Sequence, residues 1–317
     1  MALDGRIYVA GHRGLVGSAV HRALLALGHP DIVVRTRAEL ELRDGAAVEA
    51  FFAAQRPDYV VLAAGRVGGI VVNRDLPADF ISDNLAVQSN VIGAAQRHGA
   101  RRLLFFASSC MYPRDCPQPM GEDLLLTGKP EPTSMAYAIS KLAGMELCLA
   151  QNRQRGGTRF VPLIPNSVYG PNDDFDPATG HVLSSLIRKF HDARVRGDRA
   201  VTLWGSGSPR REFLYADDLA AACLCVLQAD LDGVPLPLNI GPGEDVSIAE
   251  LARLVARVTG FDGAIEWDRS KPDGAPRKLL DSSRMRALGW AARTTLEEGI
   301  RQTTRWYLAQ SRETIAS

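Results

Sequence analysis

A glycine-rich turn near the start of the chain constrains the fold more than any other feature. It follows the apolar run Ile7–Ala10 and opens a helical pattern over residues 16–27. Glycines at such a turn permit a tight bend, close approach of a pyrophosphate and close helix–sheet packing. The spacing is GxxGxxG, which differs from the GxGxxG of ordinary dehydrogenases. The residues predicted to bind a dinucleotide are Gly11, His12, Arg13, Gly14, Leu15, Val16 and Gly17. The alternative is a glycine-rich turn with no ligand.

The first half of the chain alternates short apolar runs with helical patterns. Further strands are predicted at 32–35, Tyr59–Leu62, 103–107 and 159–164, and helices at Gly45–Gln55, 84–98 and 136–155. Strands that alternate with helices at this rhythm indicate βαβ units and a parallel sheet. The strands are almost purely apolar, as expected when helices cover both faces. We therefore predict an α/β fold with a doubly wound parallel Rossmann sheet.

This rhythm breaks after about Gly170, where residues 171–180 are rich in Pro, Gly, Asn and Asp and predict a loop. The helix Ala216–Gln228 and the strand Leu238–Ile240 are suited to return to the sheet. We predict that residues 1–173, with the return segment 214–241, form the dinucleotide-binding domain. Residues 174–213 and 242–317 are predicted to form a smaller, interleaved α/β lobe that binds substrate.

Composition excludes several classes of function. The 317 residues include 37 Lys and Arg against 36 Asp and Glu, which gives no reason to expect a nucleic-acid or anionic-membrane partner. No apolar run reaches the roughly 20 residues of a membrane-spanning helix, and the first residues lack the basic segment of a signal peptide. The five cysteines form no CxxC pair. We expect a cytoplasmic protein without a disulfide framework or a metal site.

The cofactor is predicted from the end of the second strand. An acidic residue usually stands there in NAD sites and binds the ribose 2′-OH, but this chain has Arg35, Thr36 and Arg37. Arg37, helped by Arg13 in the glycine turn, can pair with a 2′-phosphate. The sequence therefore favours NADP over NAD, against the alternative of two solvated arginines.

Tyr137 and Lys141 stand four residues apart in a predicted helix and so share one face. A lysine beside a tyrosine is expected to lower the phenol pKa, so that the tyrosine exchanges protons near neutrality. Ser108 follows the fourth strand, at the edge of the sheet where ligands bind. Together with the glycine turn, this set resembles the extended short-chain dehydrogenase/reductases that act on nucleotide sugars.

Further segments narrow the resemblance. SSCMYP at residues 108–113 lacks the Asp-Glu pair expected of a sugar-nucleotide dehydratase and has Cys110 instead. The other segments are VGGI (67–70), PNSVYGPND (165–173), GHV (180–182), WGSG (204–207), RREFL (210–214) and KPDGAPRK (271–278). Over nearly the whole chain the sequence resembles the GDP-L-fucose synthase family, whose members are NADPH-dependent 3,5-epimerase/4-reductases of GDP-4-keto-6-deoxy-D-mannose.

The resemblance implies roles for individual residues. Ser108, Tyr137 and Lys141 match the reductase triad, and Cys110 and His181 match the base and acid of epimerisation. Further NADPH contacts are implied for Lys141, Pro165, Asn166, Ser167, Val168 and His181. GDP-sugar contacts are implied for Lys189, Trp204, Arg211, Asp273 and Lys278. A homodimer formed through helices 84–98 and 136–155 is also implied.

Three features depart from the family pattern. Asn166 and Ser167 follow Pro165 where Pro-Thr-Asn is common, Lys189 stands where arginine is frequent, and Gly65 replaces an alanine. None removes a catalytic group, but all leave room for a related GDP-sugar such as a heptose. Two further alternatives are a plain 4-reductase or 4-epimerase in which Cys110 and His181 are inert, and an NADP-binding sensor without catalysis.

Overall fold

The computed structural model describes residues 3–271 and 273–316. The described residues exclude the chain ends, residues 1, 2 and 317, which belong to the predicted domains. They also exclude Pro272, which belongs to the 271–278 motif. The strands are β1 (Ile7–Ala10), β2 (Ile32–Val33), β3 (Tyr59–Leu62), β4 (Arg102–Phe106), β5 (Phe160–Pro165), β6 (Ser167–Tyr169), β7 (Ala200–Trp204), β8 (Arg210–Arg211), β9 (Phe213–Tyr215), β10 (Leu238–Ile240), β11 (Val246–Ser247), β12 (Ala264–Asp268) and β13 (Arg277–Lys278). The helices are α1 (Leu15–Ala26), α2 (Gly45–Gln55), α3 (Ile70–Asp75), α4 (Pro77–Arg97), α5 (Met135–Arg155), α6 (Val182–Arg196), α7 (Ala216–Gln228), α8 (Ile248–Thr259), α9 (Ser283–Ala287) and α10 (Leu296–Ala316).

Six parallel strands form the central sheet, in the order β2-β1-β3-β4-β5-β10. Successive side chains of a strand point to opposite faces, so Ile7 and Val9 contribute to one apolar cluster and Tyr8 and Ala10 to another. Helices α1 and α7 cover the first face, and α2, α4 and α5 cover the second. The predicted doubly wound Rossmann sheet is confirmed, and β10 returns to its edge as expected.

Two elements differ from their predicted bounds by more than one residue. Strand β2 pairs with β1 over only two residues, so Arg35 and Arg37 lie beyond its end. Helix α4 begins at Pro77, seven residues before the predicted start at Asn84. The predicted helix omits this first part, which contains a proline and two aspartates. However, proline is favoured at the first helical position, and Asp79 complements the positive end of the helix dipole.

The later part of the chain builds smaller sheets beside this one. Strand β12 pairs with β7, β6 pairs with β9, and β8 lies between β11 and β13. A third apolar cluster joins α6 to α8 and α10. Helix α6 belongs to the predicted lobe segment 174–213, and α8 and α10 belong to the segment 242–317. The exact domain boundaries stay a prediction.

Candidate active site

The glycine turn leaves space where a side chain would not fit. Gly11 has a positive φ of 82°, and a Cβ on it would lie 2.8 Å from the backbone nitrogen of Ala64. A Cβ on Gly17 would lie 2.1 Å from the carbonyl oxygen of Gly11. Gly14 stands at the N-cap of α1 and brings no side chain to its free N–H groups. The turn therefore fits a pyrophosphate at the helix N-terminus.

A cavity of about 500 Å³ lies beside this turn and the ends of β1 and β2. Arg35 and Arg37 both line it, together with Glu41 and Arg43. The Arg37 side chain is 73% exposed, and its Nε lies 2.9 Å from Glu41 Oε2. Sequence reasoning missed Arg35 and Arg43 as candidates, although Arg35 directly follows the second apolar run. The cavity thus combines a glycine cradle with guanidinium groups, as a phosphorylated ribose requires.

The other residues of the turn occupy different positions. Arg13 is exposed, whereas the Nδ1 atom of His12 is buried and has no hydrogen-bond partner in the structure. Burial, followed by the nearby charges of His21 and Arg13, lowers the pKa of His12. His12 is therefore held as a neutral ring behind the turn. Leu15 and Val16 pack against the apolar face of the sheet.

Tyr137 and Lys141 lie on α5 and are both buried. Lys141 Nζ donates to the carbonyl oxygen of Phe106 at 2.8 Å and lies 5.8 Å from the centroid of the Tyr137 ring. Burial raises the pKa of Tyr137, which a hydrogen bond with Ser108 only partly opposes. The direction is opposite to the lowering expected from the lysine, because desolvation penalises a phenolate. In this state Tyr137 is a protonated phenol, which is the form that donates a proton.

Burial also lowers the pKa of Lys141, to about 8. A lysine in an unfolded chain titrates near 10.4, so between pH 8 and about 10.4 the unfolded state binds more protons than the native state. The contribution of Lys141 to stability therefore rises with pH in this window and is most unfavourable below it.

We expect Lys141→Met to stabilise the protein near pH 7 by about 2 kcal/mol, since the lost cost of desolvation exceeds the lost hydrogen bond to Phe106. The gain should shrink as the pH approaches about 10, because wild-type Lys141 is then neutral. Urea unfolding of both proteins across this range checks the expectation. A stability difference that does not change with pH would contradict it.

Ser108 and Cys110 stand directly after β4. Ser108 caps a single 3-10 turn, Ser109–Met111, and its Oγ accepts from the backbone N–H of Cys110 at 3.2 Å. Burial raises the pKa of Cys110, but the charge of Lys278, hydrogen bonds from Ser108 and Ser134, and the charge of His181 outweigh it and leave the pKa below its ordinary value. A thiol held this way is present as the thiolate, the form that accepts a proton, to a larger extent at neutral pH than an ordinary buried cysteine.

His181 precedes α6, at the end of the loop 173–181. Its Nδ1 lies 3.7 Å from Oδ1 of Asp173, whose side chain is only 4% exposed. A hydrogen bond to Asp173 raises the pKa of His181, burial opposes this, and the charges of Asp173 and Cys110 add to the rise. The two pKa shifts thus favour the imidazolium form of His181 and the thiolate form of Cys110. The fold brings these two side chains near each other from positions 71 residues apart in the chain.

The predicted substrate residues form two groups. Arg211 on β8 and Lys278 on β13 are register partners. The charge of Lys278 lowers the pKa of Cys110, and the charge of Cys110 in turn acts to raise the pKa of Arg211. Trp204 and Asp273 are more exposed, and the charge of Asp273 also acts on Arg211. Trp204 is 64% exposed, and the Asp273 carboxylate accepts from the backbone N–H and hydroxyl of Ser206 at 2.9 and 2.6 Å.

Lys189 lies on α6 and is half-buried. Burial lowers its pKa, and no carboxylate among residues 3–69, 71–271 and 273–310 forms an ion pair with it. A half-buried ammonium group without a carboxylate is suited to an anionic ligand.

The segment 165–168 stays a predicted cofactor contact, and the structure shows that one of its side chains is engaged within the protein. The Asn166 side chain is buried and donates to Glu212 Oε2 at 2.9 Å and to the Lys278 carbonyl at 3.1 Å, while its Oδ1 accepts from Ser109. Both amide protons are therefore used inside the protein, and a side-chain contact with the cofactor is not supported. Pro165 ends β5, and Ser167 and Val168 lie in β6.

Glu212 is a residue that sequence reasoning missed. It is fully buried and accepts hydrogen bonds from Asn166 and from the backbone N–H groups of Leu280 and Gly243, at 2.8–3.0 Å. Burial raises its pKa and these three donors oppose the rise. The network joins the end of β5 to the segment that carries Lys278. No local pattern marks it, because its members are far apart in the chain.

Comparison with known proteins now decides the family. The model of the NAD dependent epimerase/dehydratase family matches residues 7–241. The chain belongs to this family. The GDP-L-fucose synthase 1 of Arabidopsis thaliana is 50% identical over 307 residues, which cover 96% of this chain and 94% of that protein. The GDP-L-fucose synthase of Escherichia coli (strain K12) is 46% identical over 310 residues, covering 96% of each.

A solved structure is also similar to this chain. MlghC, a GDP-mannoheptose C4 reductase from Campylobacter jejuni with NADP bound, is 35% identical and superposes with a TM-score of 0.88, covering 97% of this chain and 99% of that one. The resemblance to the GDP-L-fucose synthase family is confirmed by these findings. No helix among the described residues is long and apolar enough to cross a membrane.

Proposed function

We propose that this protein is a bifunctional enzyme that converts GDP-4-keto-6-deoxy-D-mannose to GDP-L-fucose with NADPH, by inverting C3 and C5 and reducing C4. The observation that carries this proposal is the thiol–imidazole pair Cys110 and His181 beside the Ser108–Tyr137 pair. A plain reductase needs only a proton donor and its support. A second acid–base pair is what inversion of a carbon centre requires.

Epimerisation uses the acidity of the protons next to a ketone. Cys110, as the thiolate, removes a proton from C3 or C5, and the charge of the resulting enolate spreads onto O4. His181, as the imidazolium, returns a proton to the opposite face of the same carbon. Ser108 and Tyr137 stabilise the enolate oxygen with their hydroxyl groups. The pKa shifts of Cys110 and His181 favour these starting forms.

Reduction follows at C4. NADPH, when bound, supplies the hydride, and the glycine turn with the arginine-lined cavity fits its pyrophosphate and phosphorylated ribose. Tyr137 gives its phenolic proton to O4, and Lys141 lies beneath it on the same helix face. The backbone bond from Lys141 to Phe106 fixes that ammonium group against β4.

The second lobe recognises the GDP-sugar in this proposal. Lys278 and Arg211 bind near the reacting sugar, since their charges act in the same group as Cys110. Trp204, Asp273 and Lys189 bind the nucleotide further out. The similarity to a GDP-mannoheptose C4 reductase favours a related GDP-4-keto heptose as the second candidate substrate.

Assembly and location are part of the proposal. We infer a homodimer through α4 and α5, by analogy with the family. We also infer that the chain is divided into the two interleaved domains that the sequence predicts. All five cysteines are free thiols, which supports a reducing, cytoplasmic location.

Arg37 should determine the preference for NADPH. Because a hydrogen bond to a charged group contributes about 1.5–3 kcal/mol, we expect Arg37→Ala to weaken NADPH binding roughly 10- to 100-fold and NADH binding little. Arg101→Ala is the control, since Arg101 is similarly exposed and ion-paired but pairs with Asp58. Fluorescence titration with both cofactors measures the effect. Equal losses for NADPH and NADH would show that Arg37 does not contact the 2′-phosphate.

The function itself is tested by offering the purified protein several GDP-4-keto sugars with NADPH in deuterated solvent. The proposal expects consumption of NADPH, deuterium at C3 and C5, and GDP-L-fucose from the 6-deoxy-mannose substrate. Reduction without deuterium uptake would identify a plain 4-reductase. Turnover of a heptose substrate alone would favour the second candidate. Cofactor binding without turnover of any sugar would indicate a sensor.

A further inference from the structure

The turn that follows β3 contains Gly68 and Gly69, which the proposed chemistry leaves unused. The backbone N–H of Gly69 donates to the carbonyl of Thr179 at 2.9 Å. A Cβ on Gly69 would lie 3.0 Å from the carbonyl oxygen of Gly180 and 3.1 Å from that of Thr179. Residues 68–69, here named the Gly69 turn, therefore form the wall against which the residues just before His181 rest.

The loop that carries His181 has its own internal bonds. Asp174 accepts from the backbone N–H of Asp176 at 2.9 Å and from the hydroxyl of Thr179 at 2.6 Å. The backbone N–H of Gly180 donates to the Asp176 carbonyl at 2.8 Å. These bonds shape the loop, but they do not anchor it to the rest of the protein. The bond from Gly69 to Thr179 provides such an anchor.

Asn73 fixes the Gly69 turn from behind. Its side chain is 7% exposed, and Nδ2 donates to the carbonyls of Gly68 and Gly69 at 2.7 and 3.1 Å. Its backbone N–H also donates to the Gly69 carbonyl, at 3.1 Å. Two carbonyls of the turn are thus held by one buried amide on α3.

The same short helix also reaches the other side of the site. Helix α3 packs against the 3-10 turn Pro132–Ser134, and Ser134 hydrogen-bonds to Cys110. The reduction residues are held elsewhere. Tyr137 and Lys141 belong to α5, and Lys141 is bonded to β4 through Phe106.

We propose that Asn73 is a positioning residue for epimerisation, which holds the Gly69 turn so that His181 stands opposite Cys110. This inference rests on the proposed function. Asn73 touches neither His181 nor Cys110 through a hydrogen bond among those observed, and it acts through the turn and through α3. Its loss should impair the exchange of sugar protons far more than hydride transfer.

One assay separates the two steps. GDP-L-fucose and NADP⁺ are supplied in deuterated buffer, where formation of NADPH reports hydride transfer and deuterium at C3 and C5 reports epimerisation. Because a misplacement of about 1 Å can cost up to ~100-fold in rate, we expect Asn73→Ala to lower deuterium uptake roughly 10- to 100-fold relative to NADPH formation. Asn152→Ala is the matched control. Asn152 also bonds two backbone groups, both of Phe160, at the opposite end of β5 from the site. It should lower stability without changing the ratio.

A second pair of variants makes the test independent of the amide. Gly69→Ala places a methyl group against two backbone oxygens, whereas a Cβ on Gly68 meets only side-chain carbons at 3.4–3.8 Å. We expect Gly69→Ala to reduce the ratio and Gly68→Ala to leave it as in the parent. Thermal unfolding shows whether each variant is folded. If Gly69→Ala does not fold, the result for Asn73→Ala alone decides the test.

The outcomes distinguish the two proposals. A parent protein that neither forms NADPH nor takes up deuterium would overturn the proposed function. A parent that does both, with Asn73→Ala reducing both steps equally or neither, would overturn only the positioning role of Asn73.

Discussion

Cys110→Ser is expected to suppress exchange of the C3 and C5 protons with deuterated solvent by about 10²- to 10⁴-fold, the contribution typical of a general base. A serine hydroxyl has a far higher pKa than a thiol and remains protonated beside Lys278 and His181. Hydride transfer should persist, because Ser108 and Tyr137 are unchanged. The variant should then reduce the unepimerised ketone slowly, giving a 6-deoxy sugar of the original configuration. Product analysis by NMR measures both effects.

Cys116→Ser is the matched control for this variant. Cys116 lies six residues further along the same loop, and burial raises its pKa, so it holds no thiolate at neutral pH. It should leave the product unchanged. An unaltered ratio of epimerised to unepimerised product in Cys110→Ser would show that Cys110 only fills space, and that the protein acts as a plain reductase.

Tyr137→Phe should remove reduction while some epimerisation remains. The phenol is the proton donor to O4, and loss of a general acid typically costs about 10²- to 10⁴-fold. The protons at C3 and C5 are handled by Cys110 and His181, so deuterium uptake should decrease much less, through the loss of one hydrogen bond to the enolate oxygen. Oxidation of NADPH and deuterium uptake, measured in one sample, give the two rates.

Tyr215→Phe controls for the loss of a buried hydroxyl. Tyr215 is equally buried, but its hydroxyl donates to Gln302 at 2.9 Å. It should keep both rates. Normal reduction by Tyr137→Phe would mean that another acid protonates O4, for which Ser108 is the nearest hydroxyl partner.

The central fold was predictable because its signals are local. Strands β1, β3 and β10 and helices α2 and α7 have the bounds that their apolar patterns predict. The small sheets were not predictable, since β8 and β13 are only two residues long and pair across more than sixty positions. Such strands form where the tertiary structure brings them together, not because of their own composition.

The sequence nominated candidate site residues that the structure brings near one another, but it did not predict their electrostatics. Motif spacing pointed to Tyr137 and Lys141, and the resemblance pointed to Cys110 and His181. Burial reverses the expected shift of the Tyr137 pKa, which no sequence pattern reports. Likewise, Asn166 was expected to face a ligand, but the buried Glu212 engages its amide.

The buried Glu212 network also limits how family members can be recombined. The family match ends at residue 241, yet Glu212 accepts from the N–H of Leu280 and Asn166 donates to the carbonyl of Lys278. A chimera joined at residue 241 takes the two sides of this network from different parents. Because residues 278 and 280 contribute main-chain groups, a C-terminal segment that packs even slightly differently leaves buried polar groups unpaired, at a cost of about 1–3 kcal/mol each. Viable hybrids therefore need the main chain of residues 278–280 held in place beside Asn166 and Glu212, which ties the C-terminal segment to the domain that it follows.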